Sequence, residues 1–272
     1  MKPCLSQTST MPSSFADDLA QSANGGATTI EVWLTKLETH LKTHSPDDTQ
    51  TLIADRGIAL AAAAIQGGLL LSQGERRAAH WDHFKRRLDL CERFQIPTLI
   101  VAADPVSGPI EATSLATAIE SLAKAARWAA GFGIRIAFEF YGVGSVCTSL
   151  ETAVRIVDEI GEANLGICLD AFHFFKGPSK ESDLQLVSLQ NLAYVQVCDV
   201  AGVPRELMTD SDRIFPGEGD FDLAPLVNRL REIGYDGFVS LELMNPNLWK
   251  AKPSQVAELG MTALTRLLTP TG

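Results

Sequence analysis

A short apolar run in this chain ends in two polar side chains that lie three residues apart. Residues 165–169 read as a strand covered on both faces, and Asp170 and His173 follow that run. On its own, such a pair is more often a helix cap and a loop histidine. The pattern recurs at the ends of three other strand-like runs, at Glu139, Gln196 and Glu242. We therefore expect four strand ends to converge on one site.

These four side chains offer only oxygen ligands, and three of them are carboxylates. Carboxylates crowded at one site repel one another unless a cation neutralises them. Hard oxygen ligands without a thiolate favour manganese or magnesium, while cobalt, zinc and iron stay open. The alternative for each carboxylate taken alone is a buried ion pair or a helix cap. For the whole set, the sequence predicts one divalent metal ion held by Glu139, Asp170, Gln196 and Glu242.

The strand-like runs alternate with helix-like segments along the whole chain. The predicted strands are residues 2–6, 28–33, 58–65, 97–103, 134–140, 165–170, 193–200 and 237–243. The predicted helices include residues 34–56 with a break at Ser45-Pro46, 75–94, 114–132, 150–160, 182–189, 223–233 and 253–268. The alanine-rich run 58–65 is the weakest strand prediction, because alanine has no preference for strands.

Eight strand-then-helix units require parallel strands, since each crossover helix returns the chain to the same edge of the sheet. Eight such units close into a barrel whose site lies at the carboxyl ends of the strands. An open, doubly wound sheet is disfavoured because no Gly-x-Gly-x-x-Gly motif follows the first strand. No linker interrupts the series, so the predicted fold is a single-domain (β/α)8 TIM barrel over residues 1–272.

Composition restricts the partners of the protein. The net charge is −10 and the pI is about 5.0, which opposes binding to a nucleic-acid backbone. No run is apolar enough for a membrane span, and the first ten residues lack the apolar core of a secretory signal, so we expect a cytoplasmic protein. Five scattered cysteines without a Cys-x-x-Cys pair indicate reduced thiols rather than a disulfide framework or zinc cluster.

Four motifs together resemble a known family. They are Phe138-Glu139-Phe140, LDAFHF from Leu169, DRIFPGEG from Asp212 and GYDGFVSLE from Gly234. This combination is similar to the xylose isomerase-like TIM-barrel superfamily (sugar phosphate isomerases and epimerases), and within it to inosose (2-keto-myo-inositol) isomerases. The resemblance is weak through about residue 110 and strong from Arg135 to Trp249.

The resemblance implies roles for individual residues. The metal ligands of the family fall on Glu139, Asp170, Gln196 and Glu242, of which Glu139 and Glu242 also match the acid/base pair. Two substrate-binding positions fall on His173 and Arg213. The third ligand is usually histidine in the epimerases, so Gln196 is a departure that some related 3-dehydroshikimate dehydratases share. The implied partner is a small polyol or ketose, and assembly into a homo-oligomer is compatible with the sequence.

The four predicted ligands permit one mechanism with three outcomes. A metal ion that chelates a ketose acidifies the proton beside the carbonyl and stabilises the enediolate. One carboxylate removes the proton and the other returns one. Return to the opposite face gives an epimer, return to the neighbouring carbon gives an isomer, and loss of a β-hydroxyl gives a dehydratase. An apurinic endonuclease and a non-catalytic sugar-binding protein are weaker alternatives, because only His173 among the histidines lies at a strand end and the carboxylates are intact.

Three further residues have no single predicted role. Glu31 ends the second strand and either lines the pocket or supports a residue that does. Asp199 follows Gln196 by three residues and either orients a ligand or Arg213, or binds the metal. Cys147 lies in the loop after the fifth strand without a histidine that would make it a nucleophile.

Overall fold

The computed structural model describes residues 1–270 as a closed barrel. Its strands are β1 (Lys2–Ser6), β2 (Thr29–Trp33), β3 (Ala59–Gln66), β4 (Thr98–Ala102), β5 (Arg135–Glu139), β6 (Leu165–Asp170), β7 (Leu192–Val197) and β8 (Phe238–Leu241). Each strand pairs in parallel with the next, and β8 pairs with β1. The predicted (β/α)8 barrel is therefore confirmed. Thr271 and Gly272, at the end of the predicted domain, lie outside the described residues.

The α-helices surround the barrel, and all of them except α7 lie in segments that the sequence predicts as helical. They are α1 (Phe15–Asn24), α2 (Leu34–His40), α3 (Pro46–Asp55), α4 (Gly74–Arg93), α5 (Ala112–Ala130), α6 (Leu150–Ile160), α7 (Ala171–Lys176), α8 (Ala224–Glu232) and α9 (Pro253–Leu268). Serine side chains begin three of them: Ser14, Ser45 and Ser149 each accept a hydrogen bond from a backbone N–H in the first turn. The break at Ser45-Pro46 separates α2 from α3, as expected.

The alanine-rich strand β3 owes its conformation to its neighbours. It pairs with β2 and with β4, so its backbone groups are used on both sides. Ala61, Ala62 and Ala64 pack with Cys4, Ile100, Ala137, Cys168 and Tyr194 in a cluster of mostly small side chains. Small side chains suit the narrow interior of an eight-stranded barrel, and this explains why the strand tolerates alanine. The larger apolar residues pack between the strands and the surrounding helices.

Strand alternation places the polar strand ends inside the barrel. Successive strand residues point to opposite faces, so Glu139 shares a face with Ala137, Asp170 with Cys168, and Gln196 with Tyr194. The residue that comes first in each strand (Ala137, Cys168 or Tyr194) is apolar or weakly polar and fills the barrel. The residue that comes second is polar and lies at the carboxyl end of the strand. These strand ends form the floor of the candidate site.

Two predicted elements were wrong in detail. Residues 182–189 do not form an α-helix; a 3-10 helix covers Glu181–Leu186, and the chain leaves the helical conformation at Val187, which is extended. The strand predicted over 193–200 ends at Val197, so Asp199 lies beyond it and meets Ile214 in an isolated bridge. Within residues 1–270, none of the helices has the length and hydropathy that a membrane crossing demands.

Candidate active site

The structure brings the polar strand ends and two residues from the connecting loops into one buried cluster. Glu139 ends β5 and Asp170 ends β6, while His173 lies in the short helix α7. One potential ligand atom from each of these three residues lies within 4.8 Å of the others. The Nε2 atom of His173 is 3.6 Å from Glu139 Oε1 and 3.6 Å from Asp170 Oδ2. The sequence-predicted pair of Asp170 and His173 therefore meets Glu139 directly.

Asp170 is both a helix cap and a site residue. Its Oδ1 atom accepts a hydrogen bond from the backbone N–H of Phe172 at 2.9 Å and so begins α7. Its Oδ2 atom accepts one from Arg213 Nη2 at 2.8 Å. The helix cap uses only one carboxylate oxygen, so the other is available to the cluster.

Arg213 reaches into the cluster from the long loop after β7 and is 1% exposed. Its Nη1 atom is 3.0 Å from Glu242 Oε2, and its Nη2 atom is 2.9 Å from Asp210 Oδ1 as well as bonded to Asp170. The guanidinium lies over the Phe172 ring, 4.3 Å from its centroid. Arg213 thus links the ends of β6 and β8. Glu242 is not part of the group of Glu139, Asp170 and His173 whose ligand atoms lie within 4.8 Å of one another.

Gln196 lies beside Asp170 in the sheet register, and its amide contacts two other strands. Its Nε2 atom donates to Glu31 Oε1 at 3.1 Å, while Cys168 Sγ donates to its Oε1 at 3.2 Å. Glu31 Oε1 also accepts a hydrogen bond from Ser6 Oγ at 2.8 Å. Glu31 is therefore part of the polar floor and holds one of the predicted ligands.

Burial and mutual repulsion control protonation in this cluster. Burial raises the pKa of Glu139 well above its usual value, and the nearby Glu242 and Asp170 raise it further. Burial also raises the pKa of Glu242, although Arg213 opposes the shift. Burial lowers the pKa of His173 to about 4 against the opposing effect of Asp170, so the imidazole is neutral at pH 7.

The cluster opens into a cavity of about 550 Å³. Its inner end holds Glu139, Glu242, His173 and Arg213, and its walls include Trp33, Phe172, Met208 and Met244. A cavity of this size, with apolar walls and a few polar groups at one end, is typical of a small-molecule site.

The sequence did not point to three ionisable residues that line the cavity, Tyr141, Lys176 and Asp210. Tyr141 follows Glu139 by two residues and packs its ring 4.5 Å from that of His173, centroid to centroid. Asp210 pairs with Arg213 three residues later, and Lys176 donates from Nζ to the carbonyl oxygen of Met208. The only signal for Asp210 was its place in the long polar loop, and for Tyr141 its closeness to a strand end.

Asp199 has a structural role, and Cys147 is not an activated nucleophile. Asp199 accepts hydrogen bonds from the backbone N–H groups of Val200, Gly217 and Phe221, so it orders the Pro-Gly-x-Gly loop rather than contacting the Arg213 guanidinium. Burial raises the pKa of Cys147 to about 12, which keeps it a neutral thiol. The sequence alternatives for Asp199 did not include this loop.

The residues present fit a divalent cation. Four carboxylates at the strand ends, those of Glu31, Glu139, Asp170 and Glu242, are at most 6% exposed, and of these four only Asp170 and Glu242 pair with the Arg213 guanidinium. The buried Glu139 Oε2 atom has no hydrogen-bond partner among the described residues. The donor set of carboxylate oxygens, an amide oxygen and an imidazole suits a hard or borderline metal ion. A doubly charged ion would supply the positive charge that this cluster lacks.

Several known proteins are similar to this chain in sequence or in fold. Inosose isomerase from Halalkalibacterium halodurans is 27% identical over 258 residues, which cover 92% of this chain and 90% of that protein. The 3-dehydroshikimate dehydratase from Pseudomonas aeruginosa is 26% identical over 82% of this chain, but the match covers only 35% of that longer protein. The crystal structure of the IolI protein with a bound zinc atom matches with a TM-score of 0.92 at 24% identity, over 98% of both chains.

The family assignment follows from a match that spans most of the chain. Residues 19–267 match the model of the family described as Xylose isomerase-like TIM barrel. The closed eight-stranded barrel is the fold that this description names. The chain therefore belongs to the xylose isomerase-like TIM barrel family.

Proposed function

We propose that the protein is a divalent-metal-dependent isomerase or epimerase of a ketose or inosose. The observation that carries this proposal is the excess of buried carboxylates at the inner end of an apolar-walled cavity. Similarity to inosose isomerases along most of the chain supports the same reaction class. The cavity of about 550 Å³ is large enough for a six-carbon polyol.

The proposed metal ligands are Glu139, Asp170, Gln196 and Glu242, with manganese or magnesium favoured by the oxygen donors. When bound, the ion would polarise the substrate carbonyl and favour loss of the neighbouring proton. His173, whose Nε2 lies close to both Glu139 and Asp170, would bind a substrate hydroxyl as a neutral imidazole. Its orphaned Nδ1 atom offers a second polar contact.

Glu139 and Glu242 are proposed as the acid/base pair. Both carboxyl groups line the cavity in which the substrate would lie, and positioned carboxyl groups commonly carry protons in enzymes. Arg213 fixes the position of Glu242 and supplies a permanent positive charge beside the developing oxyanion. One carboxylate would take the proton beside the carbonyl, and the other would give one to the opposite face or to the adjacent carbon.

Deuterium exchange tests this proposal directly. In deuterated water with manganese present, a panel of inososes, ketohexoses and ketopentoses should include one compound that loses the proton beside its carbonyl, as seen by NMR. Elemental analysis should find one divalent ion per chain after manganese is supplied. Binding of several compounds without exchange, isomerisation or loss of water would replace this proposal with a sugar-binding protein.

A dehydratase is the second candidate, and Lys176 is the observation that favours it. Its ammonium lines the cavity and donates to the Met208 carbonyl, but it has no carboxylate partner within the part of the chain that the structure describes. An ammonium with unused donors suits a substrate that carries a carboxylate, such as 3-dehydroshikimate. The similarity to 3-dehydroshikimate dehydratases supports the same alternative. Loss of water from this compound, followed by its ultraviolet absorbance, would identify the lyase.

Several other properties stay predictions from the sequence. They are the absence of nucleic-acid binding, the cytoplasmic location, the homo-oligomer and the identity of the metal ion.

A further inference from the structure

Glu31 is a buried carboxylate beneath the site with an unusual set of contacts. It lies in β2, is 0% exposed and forms no ion pair among residues 1–270. Its Oε1 atom accepts two hydrogen bonds, from Ser6 Oγ at 2.8 Å and from Gln196 Nε2 at 3.1 Å, whereas Oε2 has no partner. A buried charge without a cation is costly, so its presence calls for a specific use.

Gln196 needs a partner of this kind because an amide has two chemically different ends. Rotation by half a turn exchanges a donor for an acceptor, and only the oxygen can bind a cation. Two independent contacts select the same orientation. Cys168 Sγ donates to Oε1 from β6, the strand that ends at Asp170, and Glu31 accepts from Nε2 on β2. The oxygen has two lone pairs, so one stays free beside the Cys168 contact.

We infer that Glu31 is a positioning residue: by accepting the Nε2 hydrogen bond, it turns the Gln196 amide oxygen toward the β6 side of the site. This inference rests on the proposed function, in which Gln196 is a metal ligand. An imidazole has nitrogen atoms at two positions on its ring edge, whereas a glutamine amide can bind a cation only through its oxygen, so the amide needs a neighbour that accepts from its NH2 group. Glu31 therefore accompanies the glutamine as its orienting partner.

The geometry requires an acceptor at position 31, and it does not require a negative charge. Glutamine at this position keeps an oxygen that can accept from both Ser6 and Gln196, and its amino group then occupies the place of the unpartnered Oε2. Methionine has a similar length but no comparable acceptor. Comparison of Glu31→Gln with Glu31→Met thus separates orientation of the amide from simple electrostatic attraction of the cation.

The experiment is a manganese titration of metal-free protein by calorimetry, without substrate. We expect Glu31→Met to weaken binding by about 10- to 100-fold, as loss of a partner that orients a ligand typically does. Glu31→Gln should stay within about threefold of the unaltered protein. Ser6→Ala removes the other hydrogen bond to the same oxygen and is the matched control, with an expected change of at most about threefold.

Each result of the titration is decisive. Equal weakening by both substitutions of Glu31 would assign its effect to charge and overturn the inference, and so would unchanged affinity in Glu31→Met. If the unaltered protein itself binds no manganese, the proposed function fails instead. Circular dichroism and thermal unfolding show whether each variant is folded before it is titrated.

A measurement on the unaltered protein keeps the inference testable if Glu31→Met does not fold. The side-chain NH2 group of Gln196, assigned by its loss in Gln196→Glu, should show one downfield proton that exchanges slowly with water. Two NH2 protons with ordinary shifts and fast exchange would mean that the bond to Glu31 is absent, and the inference would be wrong.

Discussion

Two buried charge clusters in this protein differ in how fully their charges are matched. Beside the barrel, Lys36 Nζ is 2.7 Å from Asp18 Oδ2 and also donates to the carbonyl oxygens of Gln7 and Thr10. The other Asp18 oxygen accepts a hydrogen bond from the Thr10 hydroxyl. One cation meets one anion, and all three ammonium donors are used, so this cluster joins α1, α2 and the 3-10 helix Gln7–Thr10 that follows β1, and it has no remaining capacity for a ligand.

The site cluster is not matched in this way. Arg213 pairs with Asp170, Glu242 and Asp210, and no cation is bonded to Glu139 or Glu31 among the described residues. Since unpaired buried charges are costly, such an arrangement persists only where protons or a ligand compensate for it. The comparison teaches that an imbalance between buried carboxylates and cations indicates a site more reliably than burial of charge itself.

Replacement of a proposed acid/base residue in the site cluster should have the largest effect on turnover. Glu139→Gln and Glu242→Gln should each lower turnover by about 10² to 10⁴, because a positioned acid or base contributes this much. The measurement is kcat at saturating manganese on the substrate found by deuterium exchange. Glu258→Gln on the exposed side of α9 is the control and should be unchanged. Losses below about tenfold in both variants would contradict the assigned roles.

Loss of the buried ion pair between Lys36 and Asp18 should destabilise the fold without changing the candidate site. Lys36→Met leaves Asp18 as a buried unpaired charge and should cost about 3–5 kcal/mol in the free energy of unfolding, measured with urea. The affinity of the folded variant for manganese should be unchanged. Combination with Asp18→Leu should recover much of the loss, since no buried charge then remains. An equal or larger loss in the double variant would contradict a simple pair.

Lys176 is an intermediate case, a cation in the cavity with no carboxylate bonded to it within residues 1–270. Lys176→Met should lower kcat/KM by about 10- to 100-fold for a carboxylate-bearing substrate, because a charge-assisted hydrogen bond contributes about 1.5–3 kcal/mol. For an uncharged ketose or inosose the change should be small. A parallel measurement on both substrate types distinguishes the dehydratase from the isomerase. Equal losses on both would remove Lys176 as a determinant of specificity.

The smallest expected effect is a change in how the free energy of unfolding of the metal-free protein depends on pH. The folded state raises the pKa of Glu139 above the ordinary value of 4.5, so the unfolded state releases this proton first as the pH increases. The free energy of unfolding should therefore fall as the pH rises from about 4.5 toward the raised pKa, by up to about 1.4 kcal/mol per pH unit for one proton. Glu139→Gln should flatten this slope in urea titrations with a chelator present. A slope that persists in the variant would assign the proton to another group.

Much of the fold was predictable because its signals are local. Short apolar runs, serine caps such as Ser14 and Ser149, and the uninterrupted alternation of strands and helices specify a parallel barrel. The 3-10 helix Glu181–Leu186 was missed because its sequence has the same composition as a short α-helix, and only its length and surroundings differ. The end of β7 was missed because residues 198–200 are apolar enough for a strand. In the structure, Asp199 accepts hydrogen bonds from backbone N–H groups of a loop 18 to 22 residues further along the chain.

The sequence by itself determined the barrel and the four polar strand ends, since strand alternation and parallel crossovers bring those ends to one edge. Only the tertiary structure decided the partner of each group. Arg213 contacts Asp170 across 43 residues of sequence, and Glu31 contacts Gln196 across 165. Contacts over such separations depend on how the strands are staggered when the barrel closes, and no local pattern encodes that stagger.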